Sequence, residues 1–381
     1  MAFAQQRITT AGTSRWYAIY FTPDGRQRSG GGFTNKRDAE RAAIKLEQRA
    51  AAGTLADASR GRLTFADYVE RFYWPAAQHL EPTTLASYRS NLDRHFMPRF
   101  GRTPMNKIVA STVQAWVNDV SAEQEDFEGN RAPQLNPRSV RKYHTLLHSI
   151  FERAIVDQVI MINPCAHTAL PKFVRSPKKA ITPEQFDTLL AEIPPRYRVM
   201  VLVAIETGLR WGELAALRPI DVDLETGEVQ VRRVVLEVPK KITGLDRGWS
   251  IRDYPKDNEH RTIRVGADLC REIREFMVAS GRRGEELLFC TSTGAPISRN
   301  TFRARVWLPA ISRSGLRQRV RFHDLRGAHA SWLLAGGADL KAVMDRLGHK
   351  QIQTTQQYLG KLPDADDRAL AAFEAIRHRR P

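Results

Sequence analysis

Between residues 63 and 164 the apolar positions recur every three or four residues, the period of helices that bury one face. Thr64-Phe65-Ala66-Asp67-Tyr68 opens one helix, and Thr83-Thr84-Leu85-Ala86-Ser87-Tyr88 opens a second behind Pro82. Ser111 to Val120 forms a third. Asn136-Pro137-Arg138-Ser139-Val140 opens a long fourth that ends near Asp157. Its Val140, Leu147, Ile150 and Phe151 make a packing face, and Arg138, Arg141, Lys142 and His144 are read as a basic one. Residues 121–135, rich in acids, read as an exposed loop.

The pattern differs on either side. Arg15 to Phe21 is a strand-like aromatic run closed by the turn Pro23-Asp24-Gly25, with Arg26 to Phe33 as a returning strand. Thr34 is read as the N-cap of a helix running to about Ala52. Downstream, Asn163-Pro164 stops the helices, and His167 to Thr182 has a linker's prolines and basic residues. Thr182-Pro183-Glu184-Gln185 starts a new helical run that continues to Leu217. Glu228 to Val235 and Arg261 to Val265 read as strands of one small sheet, with Ile251 to Tyr254 between them. Helices then return from Ala267 to the end. The expected fold class is mainly α with small antiparallel sheets, in a multidomain chain with units at 1–60, 63–165 and 181–381 and a linker at 166–180.

Charge narrows the partners. The 381 residues carry a formal net charge of +17, which favours a polyanion through counterion release. No apolar run approaches the roughly 20 residues of a membrane span. Met1 to Arg7 lacks a signal-peptide core, so the cytoplasm is the expected location. Cys165, Cys270 and Cys290 form no C-x-x-C pair, which argues against a structural zinc or a disulfide framework. Residues 1–62 carry 11 lysines and arginines against 5 acids, on a sheet-plus-helix unit of a kind that fits a DNA groove. Seven arginines and no acid lie between Gly294 and His323. Candidate DNA contacts are therefore Arg138, Arg141, Lys142, Arg299, Arg303, Arg305, Arg319 and Arg321.

Candidate chemistry lies in three motifs. Thr207-Gly208-Leu209-Arg210-Trp211-Gly212-Glu213-Leu214 sets Arg210 in a glycine-bracketed bend, where its guanidinium can grip two phosphate oxygens and Glu213 can orient it. His323 and Arg326 are three apart, which puts them on one helix face. In Leu347-Gly348-His349 the glycine reads as a helix C-cap that turns the histidine inward. Tyr358 follows nine residues after His349. Each piece alone is ordinary; the order and spacing carry the signal. Together these groups can hold a phosphodiester, move protons on its oxygens and attack its phosphorus, and none is a metal-binding carboxylate.

On T-G-L-R-W-G-E-L at 207–214, H-D-L-R-G-A-H-A-S at 323–331 and L-G-H-x-x-x-x-x-T-x-x-Y at 347–358, the chain resembles the tyrosine recombinases, the phage-type integrases. The resemblance is close over the second half. It implies an arm-type DNA-binding domain at 1–60, a helical core-binding domain at 63–165, and an α+β catalytic domain at 181–381. The last would end in a helix from Leu362 to about Ile376. By resemblance Arg210 and Arg326 clamp the phosphate, His323 is the base, His349 donates to the phosphate, and Tyr358 is the nucleophile. The family's catalytic lysine is best matched by Lys256, with Lys240 and Lys241 as runners-up. Gly360 departs from the histidine the family often carries there.

The implied function is integration and excision of a mobile element such as a prophage, through a 3′-phosphotyrosyl intermediate and without metal, ATP or other cofactor. Implied partners are double-stranded attachment-site DNA, three further copies of the chain in a homotetramer, a host DNA-bending protein and an excision factor. Two alternatives stand beside it: a non-catalytic DNA-binding protein on a recombinase scaffold, and a type IB topoisomerase-like DNA-relaxing enzyme. The complete residue set argues against the first. The basic N-terminal unit and the L-G-H…Y spacing argue against the second.

Overall fold

Three antiparallel strands open the chain: β1 (Phe3–Ile8), β2 (Ser14–Phe21) and β3 (Gln27–Phe33), in that order across the sheet. The computed structural model describes residues 1–9, 12–51, 60–125, 131–173, 180–244, 248–253, 260–349 and 351. The chain divides into two compact units, Met1–Val174 and Arg175–Pro381. Among the described residues no helix is long and apolar enough to cross a membrane.

In the first unit, α1 (Lys36–Ala51) packs on β2, burying Ala39 and Ala43 with Ala18 and Ile19. Its cap is Asn35 rather than Thr34: Asn35 Oδ1 accepts from the Asp38 N–H at 2.9 Å, the reach an N-cap side chain needs. Strand β1 was not anticipated. Its sequence, FAQQRI, is polar and almost wholly exposed, so no alternation marks it.

α2 (Phe65–Tyr68), capped by Thr64, runs through a π turn into α3 (Trp74–Ala76). α4 (Pro82–Asn91) does the same into α5 (Met97–Phe100). After α6 (Ala110–Ser121), the expected acidic loop contains a two-stranded ribbon, β4 (Glu123–Glu125) with β5 (Arg131–Pro133). α7 (Pro137–Val156) starts at the Asn136 cap, whose side chain accepts from the Ser139 N–H. The core packs Phe65 at a tilt against Phe100 and Phe151, at ring separations of 6.0 and 5.9 Å, and Phe96 edge-on against Trp116.

One sequence expectation fails on α7. His144 is buried, not part of the basic face. It lies four residues after Val140 and three before Leu147, within the packed stripe. Beyond α7, the Ala169 N–H donates to Gln114 Oε1 at 2.8 Å and Arg141 Nε to the Pro171 carbonyl at 3.0 Å. This part of the linker-like stretch is thereby held on α6 and α7.

The second unit begins with α8 (Pro183–Ala191), closed by a reciprocal Thr182–Gln185 capping box. α9 (Pro195–Thr207) and α10 (Trp211–Ala215) follow. Next come β6 (Val222–Asp223), β7 (Glu228–Val231), β8 (Arg233–Glu237), α11 (Lys240–Thr243), β9 (Trp249–Asp253) and β10 (Arg261–Arg264). The run read as one strand breaks at Arg232. β7 joins a sheet of order β10-β7-β6, whereas β8 pairs with β9, so there are two small sheets instead of one. The break lets Val229 and Val231 enter the main core while Val235 packs separately on Ala215 and Ala216.

α12 (Ala267–Ser280) ends at Gly281, and the stretch to Ser298 is irregular rather than helical. Glycines with positive φ at 281, 284 and 294 interrupt it. α13 (Arg299–Phe302), a π turn, α14 (Leu308–Arg313), α15 (Asp324–Ala335) and α16 (Leu340–Leu347) complete the described fold. The helix expected over 362–376 lies outside the described residues.

At Gly212, α10 lies flat on β8: a Cβ there would sit 2.7 Å from both Val234 Cγ2 and the Val235 carbonyl oxygen. Gly212→Ala is expected to lower stability by about 1–3 kcal/mol. Thermal denaturation checks this, and an unchanged midpoint would contradict so close an approach.

Candidate active site

Gly208 ends α9 in the left-handed conformation, φ 64°, and a Cβ there would meet Leu347 Cδ2 at 2.7 Å and His329 Cδ2 at 2.8 Å. Only glycine lets α9 come this close to α15 and α16. Two residues later Arg210 is the N-cap of α10. Glu213, in the first turn of that helix, accepts the Arg210 backbone N–H at 2.9 Å and Arg210 Nη1 at 2.9 Å. Arg261 reaches the same carboxylate from β10, with Nη2 at 2.6 Å and Nη1 at 3.2 Å. Glu213 is only 2 % exposed. Burial would raise its pKa, but hydrogen bonds and charge from Arg261, with Arg210, bring it down to about 2.

Arg326 is equally buried, on α15, and donates Nη1 to the Gly208 carbonyl at 2.6 Å and Nη2 to the Leu347 carbonyl. Gly348 then closes α16 with φ 65°. Three consecutive carbonyls at this helix end are thus each taken by a different arginine: Arg346 O by Arg261 Nε at 3.1 Å, Leu347 O by Arg326, and Gly348 O by Arg210 Nη2 at 3.3 Å. A helix C-terminus leaves its last carbonyls unpaired and carries partial negative charge, so guanidiniums suit it on both counts. Arg346 itself points elsewhere, donating Nη2 to the Glu206 carbonyl at 2.9 Å and Nε to His329 Nε2 at 3.0 Å.

His323 is the N-cap of α15. The residue before it, Phe322, packs on the residue after Arg210, Trp211, with ring centres 5.0 Å apart. Phe302 and Trp307 complete this aromatic wall at 5.4 and 5.1 Å from Phe322. The wall brings together the backbone segments that carry Arg210 and His323. Desolvation leads the lowering of the His323 pKa, with Arg326, Arg321 and Arg210 adding repulsion against the pull of Asp324. His349 is lowered to about 4 by desolvation and then by Arg326, Arg210, Arg261 and His323. Buried His329 is lowered to about 4 by desolvation and the adjacent Arg346.

Of the residues singled out in the sequence, Arg210, His323, Arg326 and His349 are brought together, each histidine sensing the charges of both arginines. Lys256 and Tyr358 lie outside the described residues. Lys240 and Lys241 are exposed at the start of α11. Arg138, Arg141 and Lys142 are exposed on α7, and Arg299, Arg303, Arg305 and Arg319 are exposed in the second unit. The arginine-rich run is less free of acids than its sequence suggests. Arg321 is held by Asp324 at 2.9 Å and Arg313 by Glu192 at 2.8 Å.

Arg261, Arg346 and His329 were missed as site residues. Arg261 had a signal: strand alternation places it on the inward face with Ile263, an unusual place for an arginine.

The histidine shifts fix the sign of a pH effect. Below the ordinary 6.5, unfolded chains take up protons that folded His329 and His349 refuse until about pH 4, so stability falls as pH drops through that window. Glu213 adds a separate loss below 4.5. The His329 share is up to about 3 kcal/mol. Denaturant titrations between pH 7 and 4.5 should show a shallower decline for His329→Gln than for wild type. Equal slopes would refute the assignment.

Residues 179–364 match the Phage integrase family, and residues 64–121 match the phage integrase N-terminal SAM-like domain. A putative prophage phiRv2 integrase of Mycobacterium tuberculosis is 27% identical over 360 residues, covering 92% of this chain and 90% of that one. Tyrosine recombinase XerC of Xylella fastidiosa is 30% identical over 282 residues, covering 69% of this chain and 88% of that one. In fold the chain is similar to a lambda integrase solved as a dimer bound to a COC′ core site, with TM-score 0.62, 20% identity, and coverage of 94% and 96%. It is likewise similar to the Tn1549 transposon integrase in complex with a circular intermediate DNA, with TM-score 0.63, 20% identity, and coverage of 80% and 98%.

Proposed function

The chain belongs to the phage integrase family of tyrosine recombinases, the site-specific recombinases that integrate mobile elements, and we propose that its cut-and-rejoin chemistry is carried by Tyr358 with Arg210, Lys256, His323, Arg326 and His349. Tyr358 attacks the scissile phosphorus; the bond to the 5′ oxygen breaks, leaving a 3′-phosphotyrosyl link and a 5′-hydroxyl. Arg210 and Arg326 stabilise charge on the non-bridging oxygens, as positioned donors that need no rearrangement. Lys256 protonates the leaving oxygen. His323, neutral near pH 7 because its pKa is lowered, accepts the tyrosine proton, and neutral His349 donates to the phosphate. The covalent link conserves the bond energy, so a 5′-hydroxyl from a partner duplex reseals the strand without ATP.

The observation that carries this reading is the tying of Arg210 and Arg326 to one turn, at Leu347-Gly348, from which His349 emerges. Residues 1–60 serve as the arm-type DNA-binding domain and 63–165 as the core-binding domain, joined through 166–180 to the catalytic domain at 181–381. Four copies act on the attachment sites in the cytoplasm, with a host DNA-bending protein and an excision factor setting direction.

The test is covalent trapping. Wild type and Tyr358→Phe are incubated in EDTA with nicked DNA from the region flanking the protein's own gene. An SDS-resistant adduct in wild type alone supports metal-free tyrosine cleavage. Tight binding by both proteins with no adduct would contradict it in favour of a non-catalytic DNA-binding role.

A further inference from the structure

Arg261 makes three side-chain hydrogen bonds inside the site. Its guanidinium holds both oxygens of Glu213, at 2.6 and 3.2 Å, while its Nε holds the Arg346 carbonyl at 3.1 Å. Its side chain is 11 % exposed. It lies against Gly348, where a Cβ would stand 3.2 Å from Arg261 Nη1, so the glycine leaves room for the guanidinium. We propose that Arg261 is a positioning residue for strand cleavage, which locks the Arg346–His349 turn to the Glu213 carboxylate and so sets Arg210, Arg326 and His349 in register with one another.

Three observations lead there. First, Arg261 bridges two elements that each hold a proposed phosphate ligand: α10, through Glu213, and the end of α16. Second, the turn is gripped on its other side by the Arg346 side chain, bonded to the Glu206 carbonyl and to His329. Releasing the Arg261 side leaves the turn attached to α9 and α15, with Arg210 as its remaining link to Glu213. Third, the Glu213 carboxylate is shared. Arg261 takes both oxygens, and Arg210, whose Nη1 bonds the same carboxylate, places Nη2 on the Gly348 carbonyl. A lysine in place of Arg261 would supply charge but not the planar fork that reaches an acid and a carbonyl together.

This inference rests on the reading of Arg210 and Arg326 as phosphate ligands, so its test has one arm that needs no chemistry. Wild type, Arg261→Lys and Arg261→Gln are compared; the lysine variant keeps a cation beside Glu213 and so guards against simple misfolding. In the first arm, single-turnover cleavage of the nicked DNA is measured at saturating protein, together with Kd. Both variants are expected to cleave about 100-fold more slowly, with Kd within about threefold of wild type. In the second arm, amide hydrogen exchange of the peptide spanning Val343 to His349 is followed without DNA, and faster exchange is expected in both variants. Wild-type cleavage by Arg261→Lys would overturn the proposal, because charge alone would then suffice. So would unchanged exchange in the turn. Absence of an adduct in wild type would instead sink the phosphate-site reading, while the exchange arm still decides whether Arg261 holds the turn.

Discussion

A carboxylate taken out of water costs several kcal/mol unless opposite charge and hydrogen bonds come with it. Glu213 is taken out of water with two guanidiniums in contact and a backbone N–H on one oxygen. Much of the second unit's geometry follows from meeting that condition. Arg210 is three residues away in sequence and Arg261 is 48, so satisfying one carboxylate brings β10 to α10. Each arginine has donors left over, and these go to the end of α16. The same bonds that make Glu213 tolerable in the interior therefore fix where the Leu347-Gly348-His349 turn must lie.

Four arginines (Arg210, Arg261, Arg326 and Arg346) converge on this region, where, among the described residues, the fully buried carboxylate is Glu213. Both histidines are hard to protonate, first because they are desolvated and then because the arginines repel a further positive charge. On the proposed reading, that imbalance is what a phosphodiester relieves. The arginines are held by backbone carbonyls, so on that reading they are aimed before DNA arrives, and little reorganisation is left to the moment of reaction. The aromatic wall of Trp211, Phe302, Trp307 and Phe322 provides the rigid backing.

What the sequence disclosed divides along range. Helix starts at Thr64, Asn136 and Thr182 were readable because a cap and its partner lie three residues apart. Gly208 and Gly348 were readable as bends, since both take positive φ. The grouping of Arg210, His323, Arg326 and His349 came from motif order. Contacts between distant segments were not readable. Nothing in the sequence pairs Arg261 with Glu213, or Arg313 with Glu192 across 121 residues. The break at Arg232 escaped notice because both halves of the run are good strand formers. Only the competing demands of two hydrophobic clusters separate them. The placement of His144 was available from helical period alone, and was obscured by the cluster of basic residues around it.

Glu213 holds both the backbone N–H and Nη1 of Arg210, so its effect on strand cleavage should run through Arg210. A double-mutant cycle on the rate of strand cleavage at saturating DNA tests it most directly, using Glu213→Gln, Arg210→Lys and the pair together. If Glu213 works through Arg210, the double variant should be about as slow as the slower single variant, since the second change removes an effect already lost. Losses that multiply would show that the two residues act independently, and would contradict the claim.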